Sequence, residues 1–151
     1  MTVATATGLT MVMRLRPLAS VPRLSEPEEP ADDGLAAWAA QVLECEEACL
    51  LVDGQGRVVA MSAGCGRMLD LDPTATVGAP LLDVMVLVDF SATGVPITDA
   101  APYAPPLRSL ASGGMARGLV RLRRRDRLRT YDVVGVPLAG GSGALAFLNE
   151  L

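Results

Sequence analysis

The 151-residue sequence contains no histidine and no lysine, a single asparagine, one tryptophan, and two residues each of phenylalanine and tyrosine. Each shortage removes a class of chemistry. Without imidazole, a Ser-His or Cys-His nucleophile and an ordinary histidine-ligated zinc site are excluded within this chain. With aromatics at 3% of residues, any core must be built from Leu, Val, Ala and Met. The three cysteines, Cys45, Cys49 and Cys65, lack CxxC spacing and are too few for a disulfide framework, so reduced thiols are expected. No apolar run approaches the ~20 residues of a membrane helix. Nor is the N-terminus laid out as a signal peptide, because Arg14 and Arg16 follow the apolar "LTMVM" instead of preceding it. A cytoplasmic protein with no membrane segment is expected.

What is present points to one globular domain with a tail. Half the residues are hydrophobic, and the length supports a single packed core. All 13 basic residues are arginine, against 17 acids. Residues 1–47 carry three Arg and eight acids, whereas residues 48–151 carry ten Arg and nine acids. The acidity is therefore concentrated in front. Residues 1–33, ending in "SEPEEPADD", read as a disordered, Pro-rich tail that cannot pack. A helix is expected over 34–47, capped by Asp32 or Asp33, with Leu35, Trp38, Val42 and Cys45 forming one apolar stripe. Glu44, Glu46 and Glu47 lie at the negative end of its dipole, so the helix persists only by packing that stripe on something.

Residues 48–151 alternate turn signals with short apolar runs. Cys49 to Val52 and Val58 to Met61 flank "DGQG" and read as a hairpin. The run Ala48 to Val52 is apolar without alternation, so it should be covered on both faces. The second cover is the Leu35–Cys45 stripe, from the same chain or from another subunit. Ser62 can cap a short helix over Ala63 to Leu69, a second helical segment lies within "DPTATVGAPLLDVM", and "PPLRSLASGG" reads as a third, stopped by Gly113 and Gly114. Met115 to Arg123 and Leu128 to Val136 flank the turn "RRDR", and Ala144 to Leu151 closes the chain. The expected class is α+β on an antiparallel sheet.

The order and spacing of these segments resemble a PAS domain along nearly all of residues 48–151, in the manner of a stand-alone, actinobacterial-type sensory PAS protein. "LLVDGQGRVVAMSAGCGRMLDLDP" is similar to the family's opening hairpin and first helix, and "TVGAPLLDVM" and "PPLRSLASG" to later helical segments. "LRRRDRLRTYDVVGVPLAGGSGALAFLNEL" is similar to its closing strands. Ser62 stands where Asn is common, Arg127 where a turn Gly is usual, and Asn149 near the usual closing Asp. The resemblance implies a PAS fold: a five-stranded antiparallel sheet with short helices on one face, plus the flanking helix. It also implies a non-catalytic sensory or protein-interaction module acting in signal transduction or transcription regulation.

No catalytic, metal or cofactor residues are assigned. Cys65 in "GCGRML" is not placed where flavin-binding relatives carry their photoactive cysteine; that segment matches "VGAPLLD". Flavin recognition needs amide side chains from the sheet, and this chain has one Asn, Asn149, with Gln41 and Gln55 in the outer helix and a turn, so Cys65 reads as a small buried hydrophobe. Haem is disfavoured because PAS haem sensors generally use a proximal His, which is absent; ligation by Cys or by Met61, Met68, Met85 or Met115 is the alternative, and these Met read as core. A small apolar ligand could occupy a pocket lined by Met61, Met68, Leu69, Leu82, Leu110, Leu122, Val134 and Phe147, the alternative being a filled core. A homodimer is expected through Leu35, Trp38, Val42 and Cys45, the alternative being a helix that caps its own sheet. Arg121, Arg123, Arg124, Arg125, Arg127 and Arg129 form a basic hairpin. It reads as a solvated face or a dock for an acidic protein partner, including the chain's own acidic tail. Nucleic acid is disfavoured by the net charge of −4 and the lack of interleaved aromatics.

Overall fold

The computed structural model describes residues 31–151, so the expected tail lies outside the described residues as far as position 30. Helix α1 spans Ala31–Glu44. It begins earlier than expected, so Asp32 and Asp33, expected as caps, fall within its span. It ends at Glu44, where Cys45 N donates to Val42 O at 3.1 Å and tightens the last turn. Cys45 and the two following glutamates lie beyond it. Strands β1 (Cys49–Asp53) and β2 (Val58–Met61) form the expected hairpin. Its turn is held by Asp53 Oδ1, which accepts from Gln55 N and Arg57 N, with Gly56 at φ 79°.

Three short helices follow, α2 (Ala63–Leu69), α3 (Pro73–Thr76) and α4 (Leu81–Val84). Strand β3 (Leu87–Val88), helix α5 (Pro105–Ser112), β4 (Ala116–Arg124), β5 (Arg127–Pro137) and β6 (Gly143–Glu150) complete the fold. The antiparallel sheet has the order β2-β1-β6-β5-β4-β3. It holds six strands, one more than expected. The addition is β3, whose two residues pair with Leu122 and Arg121 and are too short to show a period in sequence.

The β4–β5 turn is Arg125-Asp126, both at positive φ (49° and 65°). The left-handed residues therefore fall before Arg127, which lies in β5. A two-residue turn with both central residues left-handed matches the twist of its strands, although neither residue is the Gly or Asn that usually supplies it.

Two apolar clusters sandwich the sheet. On the inner face, Leu50, Val52, Met61, Cys65, Leu81, Val120, Tyr131, Val133 and Ala146 pack with the short helices. On the outer face, Cys49, Leu51, Ala60 and Leu145 pack with Val42 of α1, flanked by Leu35, Ala39 and Cys45. Strand β1 is thus covered on both faces, and within the chain the outer cover is α1 itself. Trp38, expected at the centre of the stripe, is 43% exposed. At 100° per residue it sits roughly 60° from Leu35, so Ala39 and Val42 take the inward positions and the indole lies at the margin.

Glycine fixes one close approach on the inner face. A Cβ on Gly135 would lie 2.5 Å from Pro105 O and 2.7 Å from Pro106 Cα, so α5 rests directly on β5 only because no side chain intervenes.

Candidate functional site

Between the sheet and the short helices the inner face is a packed core, and it divides the expected pocket lining. Met61, Leu69 and Leu122 are buried there, with Met68, Leu82 and Leu110 packed beside them. Val134 and Phe147 are not. They face each other in the β5–β6 register, between the inward pairs Val133–Leu148 and Gly135–Ala146, so both point to the outer face. Phe147 joins the cluster beneath α1. Leu82 reaches a surface groove of about 360 Å³ that is also lined by Val86, Leu87, Ile97 and Asp99.

Ser62 is the most heavily used polar side chain of the interior. Its Oγ accepts from Cys65 N at 3.1 Å, capping α2, and from Cys49 N at 3.1 Å. It donates to Glu47 O at 2.7 Å. Cys65, a few residues on, is fully buried, and desolvation pushes its thiol up to about 12, well away from a thiolate nucleophile. Burial also raises the Cys49 thiol, helped by the adjacent Cys45.

The arginines of the hairpin do not form one patch. Arg121 and Arg123 share the outer face while Val120 and Leu122 turn inward. Both outer guanidiniums clamp the loop after β3. Arg121 Nη1 donates to Asp89 O at 3.1 Å and to Ser91 O at 2.5 Å, with its guanidinium 5.7 Å from the Phe90 ring centroid. Arg123 Nη2 donates to Thr93 O and Gly94 O. Asp89 organises the same loop. The Ser91 hydroxyl, then the Val95 and Ser91 amides, donate to its carboxylate and hold it below the ordinary aspartate range.

Arg124 and Arg129 share the parity of Val120 and Leu122 and lie on the inner face. Arg129 Nη1 bonds Glu150 Oε2 at 2.7 Å, and Arg124 Nη1 reaches the Tyr131 hydroxyl at 3.2 Å and Glu150 at 4.0 Å. Burial raises the Tyr131 phenol, and Arg124 opposes that shift. Arg124 Nε is buried without a hydrogen-bond partner among the described residues. Arg125 pairs with Asp70 at 2.5 and 2.8 Å. Arg127 alone of the six makes no such bond among the described residues, and the acidic tail expected to meet the hairpin lies outside them. The sequence reading missed that the hairpin's guanidiniums are spent on carbonyls and acids far along the chain. Among the described residues, no cluster of three or more Cys, Asp or Glu is arranged to hold a metal ion, and no helix is long and apolar enough to cross a membrane.

This sheet order, with short helices packed on one face, defines the PAS fold. Solved structures agree. The chain is similar to the PAS domain of a protein from Colwellia psychrerythraea (TM-score 0.54, 16% identity, covering 79% of this chain and 98% of that one). It is also similar to the LOV protein of Rhodobacter sphaeroides (TM-score 0.61, 18% identity, covering 80% and 68%). A third similar structure is a domain of the sensory box sensor histidine kinase/response regulator from Geobacter sulfurreducens (TM-score 0.54, 14% identity, covering 82% and 99%). No protein-family model matches the chain, and no curated protein matches it in sequence.

Proposed function

We propose that the chain is a non-catalytic sensory or protein-interaction module, passing a signal in transduction or transcription regulation through a partner or a dimer interface. The observation that carries this reading is the combination of a PAS fold with an inner face packed by apolar side chains. The buried thiol there, Cys65, is held protonated, and the Ser62 hydroxyl is spent on main-chain bonds. Such a face offers binding, not chemistry. Structures of similar fold include a PAS domain from a two-component sensor histidine kinase, which supports the same class.

The homodimer follows from α1. The helix already covers β1 and β2 of its own chain, and Trp38 remains at its margin with an exposed face. A large aromatic left half in water favours a second copy as its cover. Sedimentation at tens of micromolar tests this: a dimer for the wild type, and a loss of mass in Trp38→Ala with the fold retained. A monomeric wild type would remove the dimer and leave α1 a cap.

A small apolar ligand is the second reading, favoured by the groove beside Leu82 and Ile97. Native mass spectrometry of the purified protein should then show added mass that organic extraction removes. Protein of sequence mass alone would count against it.

A further inference from the structure

We infer that the free edge of β4 docks an extended segment of another protein, one carrying acidic and apolar residues in alternation. This deepens the partner-binding reading above and does not depend on the dimer.

The argument begins with hydrogen-bond parity. The two-residue turn makes Arg124 and Arg127 a hydrogen-bonded pair, so even-numbered residues of β4 direct their main-chain groups to β5. Odd-numbered residues direct theirs to the opposite side. Arg121 does so against Val88 of β3, and Arg117 O accepts from Arg108 Nη1 at 3.5 Å. Strand β3 pairs only with Arg121 and Leu122. The N–H and C=O of Leu119 and the N–H of Arg117 consequently face no strand, which is the template an added strand requires.

The surroundings fit an added strand. Beside this edge lies a groove of about 500 Å³ that includes Phe90, Tyr103, Arg108 and Leu119. Phe90 and Tyr103 are 59% exposed and Leu119 is 53% exposed. Edges are ordinarily blunted by proline, bulges or inward charge, yet the centre of this one is Gly118-Leu119.

Charge selects the occupant. Arg117 lies on the outer face, 70% exposed beside its Asp132 partner. Arg108 approaches from α5 on the inner side, 3.5 Å from where a Gly118 Cβ would be. An acid on the inner face of an incoming strand therefore meets Arg108. One on the outer face meets the Nη1 side of Arg117, whose Nε and Nη2 are held by Asp132. The strand's apolar residues meet Tyr103 or Leu119. A second copy fits badly, because antiparallel self-pairing would gather Arg108 and Arg117 of both chains on one seam.

The test uses two end-blocked octapeptides, alternating Glu-Val and alternating Lys-Val, with amide exchange and chemical shifts read residue by residue. The Glu-Val peptide should slow exchange at Leu119 and Arg117 by at least about an order of magnitude at saturation. The Lys-Val peptide should not. Arg108→Glu should weaken binding about fivefold, the effect of losing a rim pair. Leu119→Pro should abolish the response with secondary structure intact, since that N–H points away from β5. Equal binding of both peptides, protection elsewhere, or no protection would overturn the proposal. Self-association of the wild type abolished by Leu119→Pro would assign the edge to a second copy instead. The peptide outcomes leave the Trp38 test untouched, and loss of dimer mass in Trp38→Ala but not in Leu119→Pro keeps the two readings separate.

Discussion

Replacing Ser62 with alanine removes three bonds from one atom, and the structure sets the size of the loss. The α2 cap disappears, which costs about 1 kcal/mol. Cys49 N–H and Glu47 C=O then lose their Ser62 bonds. Cys49 N–H, a buried group left unpaired, costs about 1–2 kcal/mol, and the part-buried Glu47 C=O, which water can reach, about 0–1 kcal/mol. The sum is about 2–4 kcal/mol, a large share of the ~5–15 kcal/mol that holds a domain folded. With a urea slope of about 2 kcal/mol/M, the unfolding midpoint should fall by about 1–2 M. Ser109 is the internal control. It is equally buried, but its hydroxyl makes a single 3.3 Å bond to Pro106 O within its own helix. Ser109→Ala should move the midpoint by about 0.5 M or less. Urea titrations of the wild type and both variants, followed by circular dichroism, decide the matter. Equal shifts for the two serines would refute the reasoning that backbone satisfaction, not burial, makes Ser62 costly to replace.

Gly135→Ala should destabilise severely or prevent folding, because the added methyl meets the α5 main chain at 2.5 Å, whereas Gly118→Ala, with nothing nearer than 3.5 Å, should fold; thermal unfolding compares them. Alkaline pH should weaken the fold. The folded-state pKa values of Cys49 and Cys65 lie above the ordinary 9.0, so their stabilising effect is complete below about pH 9 and declines as pH rises toward 12. Each thiol withdraws up to about 1.4 kcal/mol per pH unit, and urea midpoints at pH 8 and 10.5 should show the drop, reduced in Cys65→Ala. Val42→Ala should cost about 2 kcal/mol by opening the contact between α1 and the sheet, read by the same urea titration. Asp126→Gly should add about 1 kcal/mol by relieving the left-handed φ of 65° in the β4–β5 turn, visible as a higher midpoint.

Much of the scaffold was legible because punctuation and apolar runs coincide. "DGQG" marked the first hairpin, Ser62 marked the start of α2, and Gly113, at φ 76°, ends α5 as read. The pocket lining was half legible. In "VVGVP" and "ALAFL" apolar residues occupy both parities, since β5 and β6 are packed on both faces, so alternation carries no phase. Val134 and Phe147 were accordingly assigned to the wrong side. In α1 the spacings i+3 and i+4 competed, and Trp38 drew the reading although the smaller Ala39 faces the sheet. The arginines showed their strand parity clearly, with Arg121 and Arg123 opposite Val120 and Leu122. Their partners could not be read, because Asp89 O and Thr93 O lie about thirty residues away in sequence and meet them only once β3 has paired with β4.

The route between the two faces of the sheet is short. The connection Cys45–Ala48 leaves α1 on the outer face and enters β1, and Glu47 O is gripped there by the Ser62 hydroxyl, which also holds the first turn of α2 on the inner face. Gly64, at the start of α2, approaches the same connection so closely that a Cβ would lie 3.0 Å from Glu46 O. A displacement of α1 therefore has little slack to absorb it. It would pull on the Ser62 hydroxyl that α2 shares, so α1 on the outer face and α2 on the inner face are tied to one pin.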